Sequence, residues 1–317
     1  MLMESPLKPQ RTATEILSIV LLVAMHAACL LVFVVPVTTS ALALMAGGYV
    51  LRMWAITAGY HRYFSHRSYK TSRAFQFLLG LLGTMAMENG PIWWASWHRR
   101  HHKHADLHGD PHSPLRVGFW GAHLGWILSQ ESSSPDLSNV RDLQRFPELR
   151  WLDRHKWIPI IGYASACYAL GGAAGLVWGF VVSTLLVLHA TALINSLGHV
   201  WGTRRYATPD GSRNNALLAV LTLGEGWHNN HHHAMYSMRQ GLMWWELDFT
   251  YYTLRAAQAL GVIWNVRRPS TRLLSTPEPK LSVRSALDGG QLVAHSAPQC
   301  GEPSRLESLG DRSGARE

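Results

Sequence analysis

Cysteine and acidic residues are scarce in this chain. Only 3 of its 317 residues are cysteines and none belongs to a CxxC pair, which leaves no support for a disulfide framework or a thiolate metal site. Asp and Glu number 20 against 29 Lys and Arg, and charged residues together make up only 15%. The net charge of +9 is not gathered on one periodic face, so nucleic acid is not the expected partner. The basic residues instead flank apolar runs and fill the C-terminal stretch, as at the cytoplasmic surface of a lipid bilayer. The opening MLMESPLKPQRTATE is long and polar and shows no small-residue cleavage site, so a cleaved signal peptide is not expected.

Apolar residues, by contrast, make up 47% of the chain, with 14 Trp among them. Residues 16–34 form an uncharged run of 19, about the length that crosses a hydrocarbon core of ~30 Å. A second run follows to residue 58 and is interrupted by Arg52, which must face protein. Residues 74–87 are apolar but short, which suits a re-entrant or buried helix. A further apolar pair is split by Gly171 and Gly172. The expectation is an all-α membrane protein with four spans in two hairpins, near 16–35, 40–58, 156–171 and 173–194. The turns near Pro36 and Gly171 carry no Lys or Arg, whereas the N-terminal segment, residues 62–73 and Arg204–Arg205 are basic. Both termini and a helical cap are therefore expected on the cytoplasmic side. Three regions follow: a cytoplasmic segment 1–15, an integral membrane domain 16–269, and a Ser-, Pro- and Gly-rich tail 270–317 expected to be disordered.

Histidine is the other abundance. Three clusters stand out: His61 with His66, then His98, His101 and His102, then His228, His231 and His232. On a helix, positions i, i+3 and i+4 share a face, so each triplet presents three imidazoles to one side. His61 and His66 lie roughly 140° apart on a regular helix and would chelate one ion only from a frayed end or from different angles. Eight imidazoles exceed what one ion binds, so two metals are the economical reading, and imidazole suits iron, zinc or copper. A hydrolytic zinc site needs only three protein ligands plus water, so this nitrogen-rich set points to activation of O2. Isolated histidines such as His26, His123, His155 and His189 read as packed or surface residues.

The motifs ITAGYHRYFSHRSYK at 56–70, WHRRHHKHADLHGDPHSP at 97–114, NSLGHVWG at 195–202 and GEGWHNNHH at 224–232 carry a resemblance. The chain resembles membrane-bound fatty acyl desaturases of the stearoyl-CoA (delta-9) type, in a bacterial-like form, from about residue 56 to 248. The resemblance implies two iron ions (Fe2+), with O2 as co-substrate. It adds His199 to the ligands, with Asn195 holding a metal-bound water. It implies one iron on His61, His66, His98, His102 and His231 and the other on His101, His199, His228 and His232. It also implies a bent substrate tunnel at Trp94 and Thr191, with Glu88 in place of the family's Gln and Trp97 nearby.

In animal acyl-CoA enzymes an Arg-Asp pair precedes the second cluster. Ser96 and Trp97 stand there in this chain, which opens an acyl-lipid or another acyl thioester beside acyl-CoA as substrate. No fused haem motif is recognisable in the tail, so a separate electron donor is expected: a ferredoxin, a cytochrome b5-like protein or a reductase. Imidazoles bound to metal are oriented through their other nitrogen, and Asp106, Asp110, Glu225 and Asn229 are candidates for that role. The expected activity is insertion of a cis double bond, at carbon 9, into a saturated long-chain acyl group in a bacterial inner membrane. The alternative is a membrane di-iron hydroxylase or alkane monooxygenase. A metal transporter would place its ligands within spans near the midplane, and here the clusters follow or lie between them.

Overall fold

The computed structural model describes residues 12–275. Residues 1–11, and the expected tail from 276 onward, lie outside the described residues. The first apolar run forms α1 (Ala13–Ala28), which tightens into a 3₁₀ turn over Cys29–Phe33. The chain reverses and α2 (Thr39–Trp54) begins at Thr38, whose hydroxyl accepts the Ala41 N–H at 3.1 Å. Without a break, α2 passes into a wider helix over Ala55–Ser65. The other helices that place site residues are α3 (Arg73–Thr84), α4 (Pro91–His104), α5 (Pro114–Trp120), α6 (Arg141–Gln144), α7 (Pro147–Arg154), α8 (Trp157–Ala174), α9 (Ser183–Leu197), α10 (Ala216–Leu221), α11 (His228–His233) and α12 (Phe249–Ala259). Strands β1 (Lys70–Thr71) and β2 (Ile263–Trp264) pair antiparallel, the one sheet among the described residues.

Among the described residues, three stretches are long and apolar enough to cross a membrane: Ile16–Phe33, Thr39–Ser65 and Trp157–Leu197. The last has 41 residues and as a straight helix would run about 60 Å, twice a hydrocarbon core. It does not run straight. Gly172 takes φ 57° and ψ −146°, a conformation open to glycine, and the chain folds back there. Tyr163 Oη consequently donates to the carbonyl of Gly179 at 2.8 Å, although a straight helix would hold the two about 24 Å apart. The sequence expectation of two helices separated at Gly171–Gly172 thus describes this segment. Large apolar side chains face outward on these helices, including Val23, Leu30, Phe33, Ile161 and Leu170, as lipid-facing surfaces do.

Arg52 is completely buried between the two hairpins. Its guanidinium donates to the carbonyls of Gly48 (3.0 Å) and Met85 (3.3 Å) and to the hydroxyls of Thr184 (2.5 Å) and Ser183 (2.5 Å). It also lies 4.4 Å from the centre of the Tyr163 ring. These contacts replace water for a charge that the sequence requires to face protein. His26, read as isolated, bridges helices as well: its Nε2 is 3.1 Å from His189 Nε2, and His189 Nδ1 is 3.0 Å from His123 Nε2.

Below the hairpins, α3, α4, α7 and the wide helix enclose a core in which Phe64, Leu79, Leu149 and Leu152 are fully buried. Arg99 locks two of these elements together. It donates to the carbonyls of Phe64 (2.6 Å) and Ser65 (3.0 Å) at the end of the wide helix and to Asp142 (2.8 Å). That contact sets the first histidine cluster against the second.

Candidate metal centre

The segment Ala55–Ser65 resolves the awkward spacing of His61 and His66. Its hydrogen bonds run from residue i+5 to i, as in His66 N to His61 O at 3.2 Å. Such a helix needs roughly four to five residues a turn, so a five-residue step returns close to the same face. The two rings sit 4.7 Å apart, edge to face. Neither a frayed end nor divergent approach is required. Nothing in composition marks an i+5 turn, which explains why a regular period misplaces this pair.

On α4, His98, His101 and His102 project from one side, and α11 presents His228, His231 and His232 opposite. His199 follows the C-terminal end of α9. All nine histidines are brought together in two groups. His61, His66, His98, His102 and His231 offer nitrogens within 4.8 Å of one another, and His101, His199, His228 and His232 form a second such set. His102 and His232, one from each group, have ring centres 4.5 Å apart, so the groups adjoin.

The nitrogens that converge are the Nε2 atoms. Their separations are 2.8 Å for His66 and His98, 3.0 Å for His98 and His102, 3.0 Å for His102 and His231, 3.1 Å for His61 and His231 and 3.1 Å for His199 and His228. Carboxylates hold several rings from behind. His101 Nδ1 donates to Asp110 (3.0 Å), His199 Nδ1 to Asp106 (2.8 Å), His232 Nδ1 to Asp210 (2.8 Å) and His61 Nδ1 to Glu225. With Nδ1 carrying the proton, a neutral ring turns the lone pair of Nε2 inward. Facing lone pairs at such distances repel unless a cation lies between them. The donor set therefore fits metal ions, and all-nitrogen nests of four and five suit a transition metal. Burial, reinforced by the neighbouring imidazoles, holds His66, His98, His102, His228, His231 and His232 well below the usual histidine range. They are neutral at pH 7, as coordination requires.

The residues behind the rings extend the sequence reading. Asp106 also accepts from Ser113 Oγ (2.6 Å) and the Gly211 N–H (2.7 Å), and Asp110 from the Asp106 N–H (2.8 Å). Glu225 is shared between His61, Arg62 Nη2 (3.0 Å) and Gln240 Nε2 (2.8 Å). Burial alone would raise this carboxyl, but its interactions with His61 and the Arg62 guanidinium outweigh it and bring it down to about 2. Asn229 instead accepts from the backbone N–H groups of Arg205 (2.8 Å) and Tyr206 (2.8 Å) and donates to the Tyr206 carbonyl and the Thr208 hydroxyl, so it pins a loop rather than an imidazole. Asp210 was missed by sequence reasoning. It sits in the loop segment PDGS with no periodic relation to His232, so only the fold pairs them.

Above the rings is a small cavity of about 40 Å³, lined by His61, His98, His101, His199, His228 and Asn195, with room for a small molecule or water. Trp94 and Thr191 form its upper edge and also line a larger cavity of about 510 Å³, with Glu88 and Trp97 in the same wall. Trp94 stacks on His98 at 4.9 Å and its Nε1–H donates to Glu88 at 3.0 Å. The larger cavity runs between Leu22 and Met25 of α1, Leu185 and Leu188 of α9, and Trp157, so it is mainly apolar. Its volume is that of pockets that enclose ligands of moderate size.

A helical chain with apolar stretches of membrane-crossing length, a paired histidine nest and an apolar cavity opening onto it defines the class: a helical protein with candidate membrane spans and a site that could hold metal ions. Comparison with known proteins narrows it. The fatty acid desaturase family pattern matches residues 35–266, and the chain belongs to that family. It is 44% identical over 218 residues to a probable lipid desaturase, ADS3.2, chloroplastic, of Arabidopsis thaliana, covering 68% of this chain and 60% of that one. It is 40% identical over 213 residues to the sn-1 stearoyl-lipid 9-desaturase of Anabaena variabilis, covering 67% and 78%. It is 38% identical over 221 residues to the acyl-CoA C20 Delta5-desaturase of Anemone leveillei, covering 69% and 70%. The chain thus spans 60% of the length of the first of these relatives.

Proposed function

We propose that the protein is an O2-dependent di-iron desaturase that inserts one cis double bond, at carbon 9, into a saturated long-chain acyl group. The observation that carries this reading is the meeting of nine inward-facing imidazoles with an apolar cavity. In the proposal the four apolar helices cross a bacterial inner membrane as two hairpins, with the histidine cap on the cytoplasmic side. A separate protein delivers the electrons.

His61, His66, His98, His102 and His231 would hold one iron, and His101, His199, His228 and His232 the other, with Asn195 holding a bound water. When bound, the irons supply the redox chemistry: two delivered electrons and two protons, with two hydrogens from the chain, reduce O2 to two waters and leave an alkene. The remaining work is done by the protein's own groups. Asp106, Asp110, Asp210 and Glu225 fix the tautomer of the rings in front of them by accepting the Nδ1 proton. A methylene carries no charge to recognise, so the cavity selects by shape: Trp94 and Thr191 bring one carbon pair over the small chamber, and the apolar walls exclude water.

The test is expression in a host that lacks unsaturated fatty acids, followed by lipid profiling with location of the double bond. Delta-9 cis monoenes are expected; hydroxylated chains would indicate the hydroxylase reading instead. Within the same assay, Trp94→Ala should let the chain slide and lower positional selectivity by about tenfold, since a few methylenes of lost contact amount to roughly 1–3 kcal/mol. Unchanged regiochemistry would remove Trp94 from that role.

Glu88 offers a pH-dependent readout. Burial pushes its carboxyl up to about 7, against the partial relief given by the Trp94 hydrogen bond. The folded chain then keeps a proton that the unfolded chain has released, in the window from about 4.5 to about 7. Stability contributed by this group is present below that window and is lost as the pH rises through it. Thermal unfolding in detergent should therefore show a lower melting temperature at about pH 8 than at about pH 5.5, with the difference reduced in Glu88→Gln. An equal difference in the variant would assign the dependence to other groups.

A further inference from the structure

The buried Arg52 has no part in the metal centre, yet it stands behind the deep end of the large cavity. Along α9 the lining residues recur as Asn195, Thr191, Leu188 and Thr184, one face of the helix, and none of residues 173–183 lines the cavity. On α8 the last lining residue is Ile160, and on α1 it is Met25. Beyond that level the helices close on one another. Buried Ile160, Cys167, Phe180 and Val181 form an apolar cluster of their own, with Met25 and Met87 packed against it. The cavity therefore has a floor, where its lining residues Ile160, Met25 and Met87 become part of this cluster beside Thr184.

Arg52 fixes the level of that floor. Its guanidinium donates to Ser183 and Thr184 at the start of α9 and to the Met85 carbonyl, two residues before Met87. Both α9 and the segment after α3 are thereby tied to α2 at one height. Hydrocarbon packing alone yields to a longer chain more readily than this does, because shifting either hydroxyl leaves a buried charge-assisted hydrogen bond unmade. The height can be converted to carbons. Thr184 and Thr191 are two turns apart, so roughly 10.5 Å of helix separates the floor from the edge of the chamber over the histidines. A C–C bond of about 1.5 Å at a tetrahedral angle advances an extended chain by roughly 1.25 Å, so about eight carbons span that height.

We infer that the deep end is a chain-length stop: Thr184 and Ile160 close it about eight carbons past the carbon pair presented to the histidines, and Arg52 is the positioning residue that holds Thr184 in place. This rests on the desaturase reading and adds the length of chain accepted. With the double bond at carbon 9, a chain of about eighteen carbons fills the cavity and one two carbons longer meets the floor.

The full chain is expressed in a host without desaturases, and labelled saturated acids of 16, 18 and 20 carbons are fed in equal amounts. The ratio of monoene to saturate is read within each chain length, which cancels differences in uptake. The parent is expected to convert 18 carbons at least tenfold better than 20, as a closed apolar pocket discriminates over two methylenes. Ile160→Ala opens the floor and should raise conversion of the 20-carbon chain at least tenfold, with the double bond still at carbon 9 and bound iron unchanged. Ile160→Trp should move the preference to 16 carbons. Equal conversion of 18 and 20 carbons by the parent, or an unchanged profile in Ile160→Ala protein that retains its iron, would overturn the stop and leave the desaturase reading standing. Absence of monoene at every length in the parent would overturn both. Arg52→Lys replaces the planar fork by a single ammonium and should reduce the preference for 18 over 20 carbons severalfold. An unchanged preference would remove Arg52 from its positioning role, and Ser183→Ala, which cuts one of its bonds outside the cavity wall, provides the same readout if the lysine variant fails to accumulate.

Discussion

His228→Ala and His66→Ala are expected to leave a chain that retains about one equivalent of iron and has lost at least a hundredfold in desaturation. The reason lies in the geometry of the two nests. His228 belongs to the set with His101, His199 and His232, and His66 to the set with His61, His98, His102 and His231. The nests adjoin through His102 and His232 but share no imidazole. Each nest keeps carboxylate-held rings of its own, His61 on Glu225 in one and His101, His199 and His232 on Asp110, Asp106 and Asp210 in the other, so loss from one nest does not disassemble the other. Metal analysis of the purified variants beside the parent reads the stoichiometry, and lipid profiling reads the activity. Loss of both metals from either variant would show that the nests form as one unit; full activity in either would remove that histidine from the centre.

Arg62→Met should be the most destabilising single change outside the histidines. The Arg62 guanidinium is 1% exposed and reaches Glu225 at 3.0 Å, Asp248 at 2.9 Å and the carbonyl of Met238 at 2.8 Å. Asp248 in turn accepts from the backbone N–H of Gln240 (2.8 Å) and Tyr251 (2.9 Å). Removing the cation strands two buried carboxylates, and a broken buried pair costs roughly 3–5 kcal/mol. Gly224 shows how tightly this knot is drawn: at φ +130°, a Cβ there would lie 2.5 Å from Asp248 Oδ1 and 3.0 Å from Arg62 Nη2. Because Glu225 also holds His61, the variant should lose metal along with stability. Unfolding in denaturant measures the first and metal content the second. A variant within 1 kcal/mol of the parent, on the order of a surface substitution, would show that the network contributes little.

The helical architecture was legible because its signals are local. Uncharged runs, the Gly171–Gly172 break and the i, i+3, i+4 histidine triplets need only neighbouring residues to be read. His199 was available only by resemblance, because one histidine at the end of α9 has no period to announce it. The i+5 winding of Ala55–Ser65, the pairing of Asp210 with His232 and the histidine contacts from His26 to His123 join segments or conformations that no local pattern encodes. Asn229 is the opposite case. Its place inside GEGWHNNHH suggests service to the imidazoles, yet its side chain turns to Arg205 and Tyr206, because the short helix α11 must be tied to the loop beside it.

The central claim is that two metals are held by these nine imidazoles. Anomalous diffraction at the iron absorption edge, from crystals of protein purified from iron-replete cells, tests it most directly. The account predicts two iron peaks, one inside the ring of His61, His66, His98, His102 and His231 and one inside that of His101, His199, His228 and His232. A single peak, or peaks away from these nitrogens, would contradict it.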